Sequence, residues 1–117
     1  IQVVPGVSHE KGSYAEIVAA TARDTQALII CIGYSAADYA LISNRHLFDI
    51  AVGAAGSERI LLADLMVMAE ATSDSFNPRT IGPIPCMIPA GSRVAVRGQT
   101  QNATTDNYDF VIIGFSL

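Results

Sequence analysis

The chain is a series of short apolar runs, each cut off by a polar connection or by Gly and Pro, and the longest, "ALIICIGY", covers only residues 27–34. This punctuation constrains the fold more than any other feature. A run of that length crosses a sheet once, and Gly and Pro interrupt helices and strands alike. The residues inside the runs agree: Val plus Ile number 9 + 13 = 22 against 7 Leu, and β-branched side chains suit pleated, packed strands. Several short strands joined in this way predict an all-β chain, an antiparallel β-sandwich that is jelly-roll-like. At 117 residues the chain fits one domain and buries enough surface to fold without metal or disulfide staples.

Read from the start, "IQVVPGVSHEKGS" (1–13) is an N-terminal arm or lead-in strand, and residues 14–117 form the single sandwich domain. "YAEIVAAT" and "QALIICIGY" are strands separated by the polar residues 22–24, and residues 35–45 are a connection with a Ser43-Asn44 turn. In "HLFDIAVG", Phe48, Ile50 and Val52 alternate with Leu47, Asp49, Ala51 and Gly53, which predicts a half-buried strand. "RILLADLMVMAEA" is rich in helix formers and stays open between a strand and one short helix. "TSDSFNPRTIGPIP" is a turn-rich connection leading into "CMI", because Pro78, Pro83 and Pro85 exclude a long helix. Ile88-Pro89-Ala90-Gly91 reads as a type I turn. It launches a strand with Val94, Val96 and Gly98 on one face and Arg93, Ala95, Arg97 and Gln99 on the other. "TQNATTDN" is a polar turn, and "YDFVIIGF" is a strand apolar on both faces, hence central or covered on both sides.

No catalytic motif stands out. G-x-S-x-G is absent, and "GAAGSE" (53–58) lacks the Lys and the Ser or Thr of a phosphate-binding loop, so it is read as a turn. His46 and Asp49 sit on opposite faces of a strand and make a poor metal pair, which leaves the histidines in solvated or hydrogen-bonded roles. Asp49, Glu58 and Asp64 offer carboxylates for acid–base work, but their spacing identifies no pair. Cys31 and Cys86 are expected as buried free thiols. Tyr14, Tyr34, Tyr39 and Tyr108 form no recognisable stacking cluster for sugars, and Asn102-Ala103-Thr104 matches the short glycosylation pattern. No catalytic residue, cofactor or metal is assigned.

The 7 basic and 11 acidic residues give a net charge of −4, which opposes accumulation on nucleic acid or an anionic membrane. No apolar run approaches a membrane helix, and no secretory signal is read at a chain that begins at Ile1. Lysine occurs once, at Lys11, against six arginines, and half the residues are hydrophobic. Interfaces favour Arg over Lys, because a guanidinium is less strongly hydrated and forms forked hydrogen bonds. A homo-oligomer is therefore expected. Arg93, Arg97 and Gln99 are the candidate interface residues, pairing with acids of a neighbouring copy; the alternative is an ordinary solvated sheet face.

"FDIAVGAAGSERILL" (48–62) and "IPCMIPAGSRVAVRGQTQNATTDNYDFVIIGF" (84–115) resemble small β-sandwich proteins and domains of tailed bacteriophages, such as head decoration or cement proteins and fibre-type proteins. The resemblance spans the last 70 residues or so and rests on turns and strands. It implies a jelly-roll-like fold, a homotrimer or other symmetric assembly, and attachment to a virion, at the capsid surface or the tail. The expectation is a non-enzymatic capsid decoration protein whose partners are its own copies and the major capsid or other virion proteins, with residues 1–13 as an arm reaching a neighbour. The alternative is a receptor- or glycan-binding module of a tail fibre or spike.

Overall fold

A computed structural model describes residues 1–6, 8–34, 44–69, 79–101 and 108–116. Residues 35–43 of the connection expected over 35–45, the polar stretch 72–78, residues 102–107 of the turn expected over 100–107 with Asn102-Ala103-Thr104, and Tyr39 lie outside those residues, while Asn44 and Arg45, expected in the connection, instead open a strand. The strands are β1 (Gln2–Val3), β2 (Ala15–Val18), β3 (Thr25–Tyr34), β4 (Asn44–Val52), β5 (Arg59–Ala69), β6 (Arg79–Ile88), β7 (Val94–Thr100) and β8 (Tyr108–Phe115). They form two four-stranded sheets, ordered β1-β8-β3-β6 and β2-β7-β4-β5, and every named pair is antiparallel. This is the eight-stranded jelly-roll arrangement of a β-sandwich.

Alternation drives the packing. Leu28, Ile30 and Ile32 of β3, Phe48 and Ile50 of β4, Val94 and Val96 of β7, and Tyr108 and Phe110 of β8 meet between the sheets, where Val3 of β1 joins them. Successive strand residues point to opposite faces, so each of these runs delivers an apolar row to one side. Phe48 sits edge-on to both Tyr108 and Phe110, with ring centroids 5.1 and 4.9 Å apart. Gly98 lies directly opposite Phe48, and a Cβ there would come within 2.6 Å of the Phe48 ring.

Four readings are settled, the first of them open between a strand and a short helix. The helix-forming residues 59–69 form strand β5, and no helix occurs among the described residues; pairing with β4 overrides local propensity. Two register shifts accompany that pairing, and Asp64 takes a left-handed backbone at φ 52°, a bulge that re-aims its side chain. Second, residues 79–88 form β6 rather than a connection, with Pro83 and Pro85 inside it. β6 is an edge strand, where a missing N–H is tolerated, and Gly82 (φ 126°) turns where a Cβ would meet the Leu28 carbonyl. Third, the tight turn spans Pro89–Ser92, one residue later than expected: Ser92 N–H donates to the Pro89 carbonyl at 3.2 Å and Gly91 has φ 78°. Positive φ at the third position is the type II requirement rather than type I. Fourth, β8 is central in its sheet, between β1 and β3, as one of the two expected alternatives has it, while its outer face is exposed, as described below.

Candidate functional site

The outer face of the β2-β7-β4-β5 sheet holds the candidate residues. Alternation along β7 turns Arg93 and Arg97 outward, and both pair within their own chain. Arg93 Nε donates to Glu16 Oε2 at 2.9 Å, while its Nη1 donates to Glu58 Oε1 at 3.0 Å and to the Gly53 carbonyl at 3.3 Å. Arg97 Nε donates to Asp49 Oδ2 at 2.9 Å, and its guanidinium lies over the Tyr14 ring at 4.7 Å from the centroid, a cation–π contact. These arginines therefore join β7 to β2, β4 and the β4–β5 turn.

The N-terminal segment completes the cluster. β1 pairs with β8 and its Val3 is fully buried, so this part is a lead-in strand. The chain then crosses β7: Gly6 N–H and Gly12 N–H both donate to the Gly98 carbonyl, at 2.9 and 2.8 Å, and His9 N–H donates to that of Thr100 at 2.9 Å. Lys11 Nζ thereby reaches Asp49 Oδ1 and Asp64 Oδ1, each at 2.8 Å. The Asp64 N–H, turned by its left-handed backbone, donates to Asp49 Oδ1 at 3.0 Å. As described, the arm is fastened to its own chain.

Asp49 is 2% exposed. Burial pushes its carboxyl up, but the donors from Lys11, the Asp64 N–H and Arg97 outweigh that and hold it below the ordinary carboxylate value. Glu58 is also held low, first by its own N–H and then by Arg93 and the Gly56 N–H. The Tyr14 hydroxyl is pushed up by burial, against the opposing pull of Arg97. A general acid needs a raised carboxyl pKa; Asp49 and Glu58 instead stay ionised and act as anchors. Sequence reasoning singled out Asp49, Glu58, Asp64 and the two arginines without pairing them, and missed Lys11, Glu16 and Tyr14 as their partners. The lone lysine was the one available signal.

The remaining candidates separate. His46 and Asp49 do face opposite sides of β4, but His46 is not solvated: it is fully buried, 4.5 Å from the Tyr108 ring and 6.2 Å from that of Phe48. Burial pushes its pKa down to about 4. Cys31 and Cys86 are free thiols, half-buried rather than buried. Cys86 packs against the core, and burial raises its pKa. Among the described residues no group of three or more metal-ligating side chains comes together. Gln99 faces outward with the arginines and lines a depression of about 250 Å³ at the end of the sheet. A comparison with protein-family models, curated proteins and solved structures finds no significant match.

The opposite sheet presents a different outer face. Met87 is 70% exposed, Val111 56%, Ile113 45% and Phe115 40%. Val111 stands opposite Cys31, Ile113 opposite Ile29 and Phe115 opposite Ala27, with Pro85 beside Ala27 on the next strand. The ion pairs described above all belong to the other sheet and its arm. This sheet is thus apolar against the core and largely apolar against solvent, where the exposed Asp109 and Thr80 stand at one end of the face, opposite Gly33 and Cys31.

Proposed function

We propose that the chain is a non-enzymatic structural subunit of a bacteriophage virion, decorating and reinforcing the capsid surface by assembling with copies of itself and with the major capsid protein. The observation that carries this reading is the apolar outer face of the β1-β8-β3-β6 sheet. Exposed apolar patches of this kind mark interaction surfaces. The occupant assigned to it is a second copy of this chain, since a face built mostly from alkyl, thiol and phenyl groups, with Asp109 and Thr80 at one end, is complementary to itself. Its size supports an array rather than a tight isolated pair. Its three long strands at about 4.8 Å spacing and eight residues at about 3.4 Å enclose roughly 400 Å². Two such faces total about 800 Å², below the size of a stable isolated interface. Contacts of that size gain strength when many are made at once on a lattice. The ionised, cation-held carboxylates of the opposite sheet suit anchoring rather than proton transfer, consistent with a structural role.

The alternative of a receptor- or glycan-binding module of a tail fibre or spike would draw on a different surface, the depression lined by Gln99. Cryo-electron microscopy of the parent particle distinguishes the two. Density at capsid symmetry axes supports decoration, and density confined to the tail tip overturns it.

A further inference from the structure

The depression beside Gln99 has a composition unlike the rest of this acidic chain. Gln99 stands opposite Leu47, and Leu47 opposite Met66, so one outward row crosses β7, β4 and β5. In the next outward row Gln101 N–H donates to the Arg45 carbonyl at 3.0 Å. His9 overhangs both rows from the arm, in a left-handed backbone at φ 61° fixed by its N–H bond to Thr100 and by the Ser8 hydroxyl donating to the Gln101 carbonyl at 3.0 Å. A non-glycine residue in that region is uncommon and is held there by its surroundings. The result is a hollow of about 250 Å³ whose lining brings together a guanidinium, an imidazole and two carboxamides with the apolar Leu47 and Met66, with no Asp or Glu among the described lining residues.

We propose that this hollow binds one carboxylate-bearing sugar residue, of the uronic or sialic acid class. Arg45 offers a planar fork that matches a carboxylate. The Gln99 and Gln101 amides each carry donor and acceptor groups, as neighbouring sugar hydroxyls require. Leu47 and Met66 suit the C–H face of a pyranose ring, and the volume falls just below that of pockets for larger ligands, which fits a single ring. The proposal stands independently of the virion reading, since a decoration subunit and a fibre module could each carry such a site.

The test is a titration of the ¹⁵N-labelled chain with methyl β-D-glucuronide, its neutral analogue methyl β-D-glucoside, and acetate. The glucuronide is expected to bind in the millimolar range, shifting the amides of His9, Arg45, Leu47, Gln99 and Gln101, with the glucoside weaker by about tenfold because it forms no charge-assisted pair. Arg45→Ala should weaken glucuronide binding by about the same factor with circular dichroism unchanged, and Arg45→Lys should recover part of it. The proposal is overturned by no shifts at about 20 mM glucuronide, by equal binding of the glucoside, by acetate binding as tightly as the glucuronide, or by an Arg45→Ala variant that binds normally.

Discussion

Asp49 is ionised in a nearly sealed position because three donors converge on it, and its removal leaves Lys11 and Arg97 without their shared anion. Breaking a buried ion cluster at one partner costs about 3–5 kcal/mol, so Asp49→Ala should lose stability of that order, read from the urea midpoint. His46 acts in the opposite sense. Its folded pKa of about 4 lies below the ordinary 6.5, so between those values the unfolded chain binds the extra proton. Its contribution is complete above pH 6.5 and is lost as pH falls toward 4, by about 3 kcal/mol at most. Urea unfolding across that range should show the loss in the native chain and a flatter profile in His46→Phe. Gly98→Ala, which presses a methyl into the Phe48 ring, should cost about 1–3 kcal/mol, measured as a lowered thermal midpoint. The outward placement of Asp49 was legible in the alternation of "FDIAV". Its partners were not, since Lys11 and Arg97 lie 38 and 48 residues away in sequence and only the topology brings them together.

At the level of elements, β3, β4, β7 and β8 were legible because one face of each alternates cleanly into the core, a period that residue types reveal directly. β5 and β6 were obscured for a shared reason: both are edge strands with register shifts. An edge strand tolerates prolines and helix formers, because only one side must pair and its residues are half-exposed. The arm was legible as a lead-in strand, but the way it is fastened was not. Lys11 ties it to β4 and β5 together, while Gly6 and Gly12 share one carbonyl of β7. Lys11→Met should therefore loosen residues 8–14 selectively. Hydrogen exchange at the Gly12 amide is expected to rise by about tenfold or more, with the β3 and β8 amides unchanged. Uniformly raised exchange would instead mean that the arm and the sandwich open as one unit.

At the scale of the molecule, the two outer faces divide the work: one is tied together by ion pairs, the other is apolar and open. The Arg-over-Lys bias led sequence reasoning to Arg93 and Arg97 as interface residues, yet each arginine has its acidic partners on its own chain. The same composition therefore fits an intrachain role, and residue type alone could not separate the two because it does not tell which acid lies within reach. A pair of variants does separate them. Ile113→Glu places a charge at the middle of the apolar face, on a residue already 45% exposed, so the monomer should keep its unfolding midpoint to within about 0.5 kcal/mol. If copies meet through this face, the mass from light scattering should fall to that of one chain, because an unpaired charge cannot be buried there without a large penalty. Arg93→Ala combined with Arg97→Ala should do the reverse, lowering the midpoint by several kcal/mol as Asp49 loses one of its cations while leaving the assembled mass unchanged below the transition. A double variant that falls to one chain with its midpoint intact would move the interface to the arginine face.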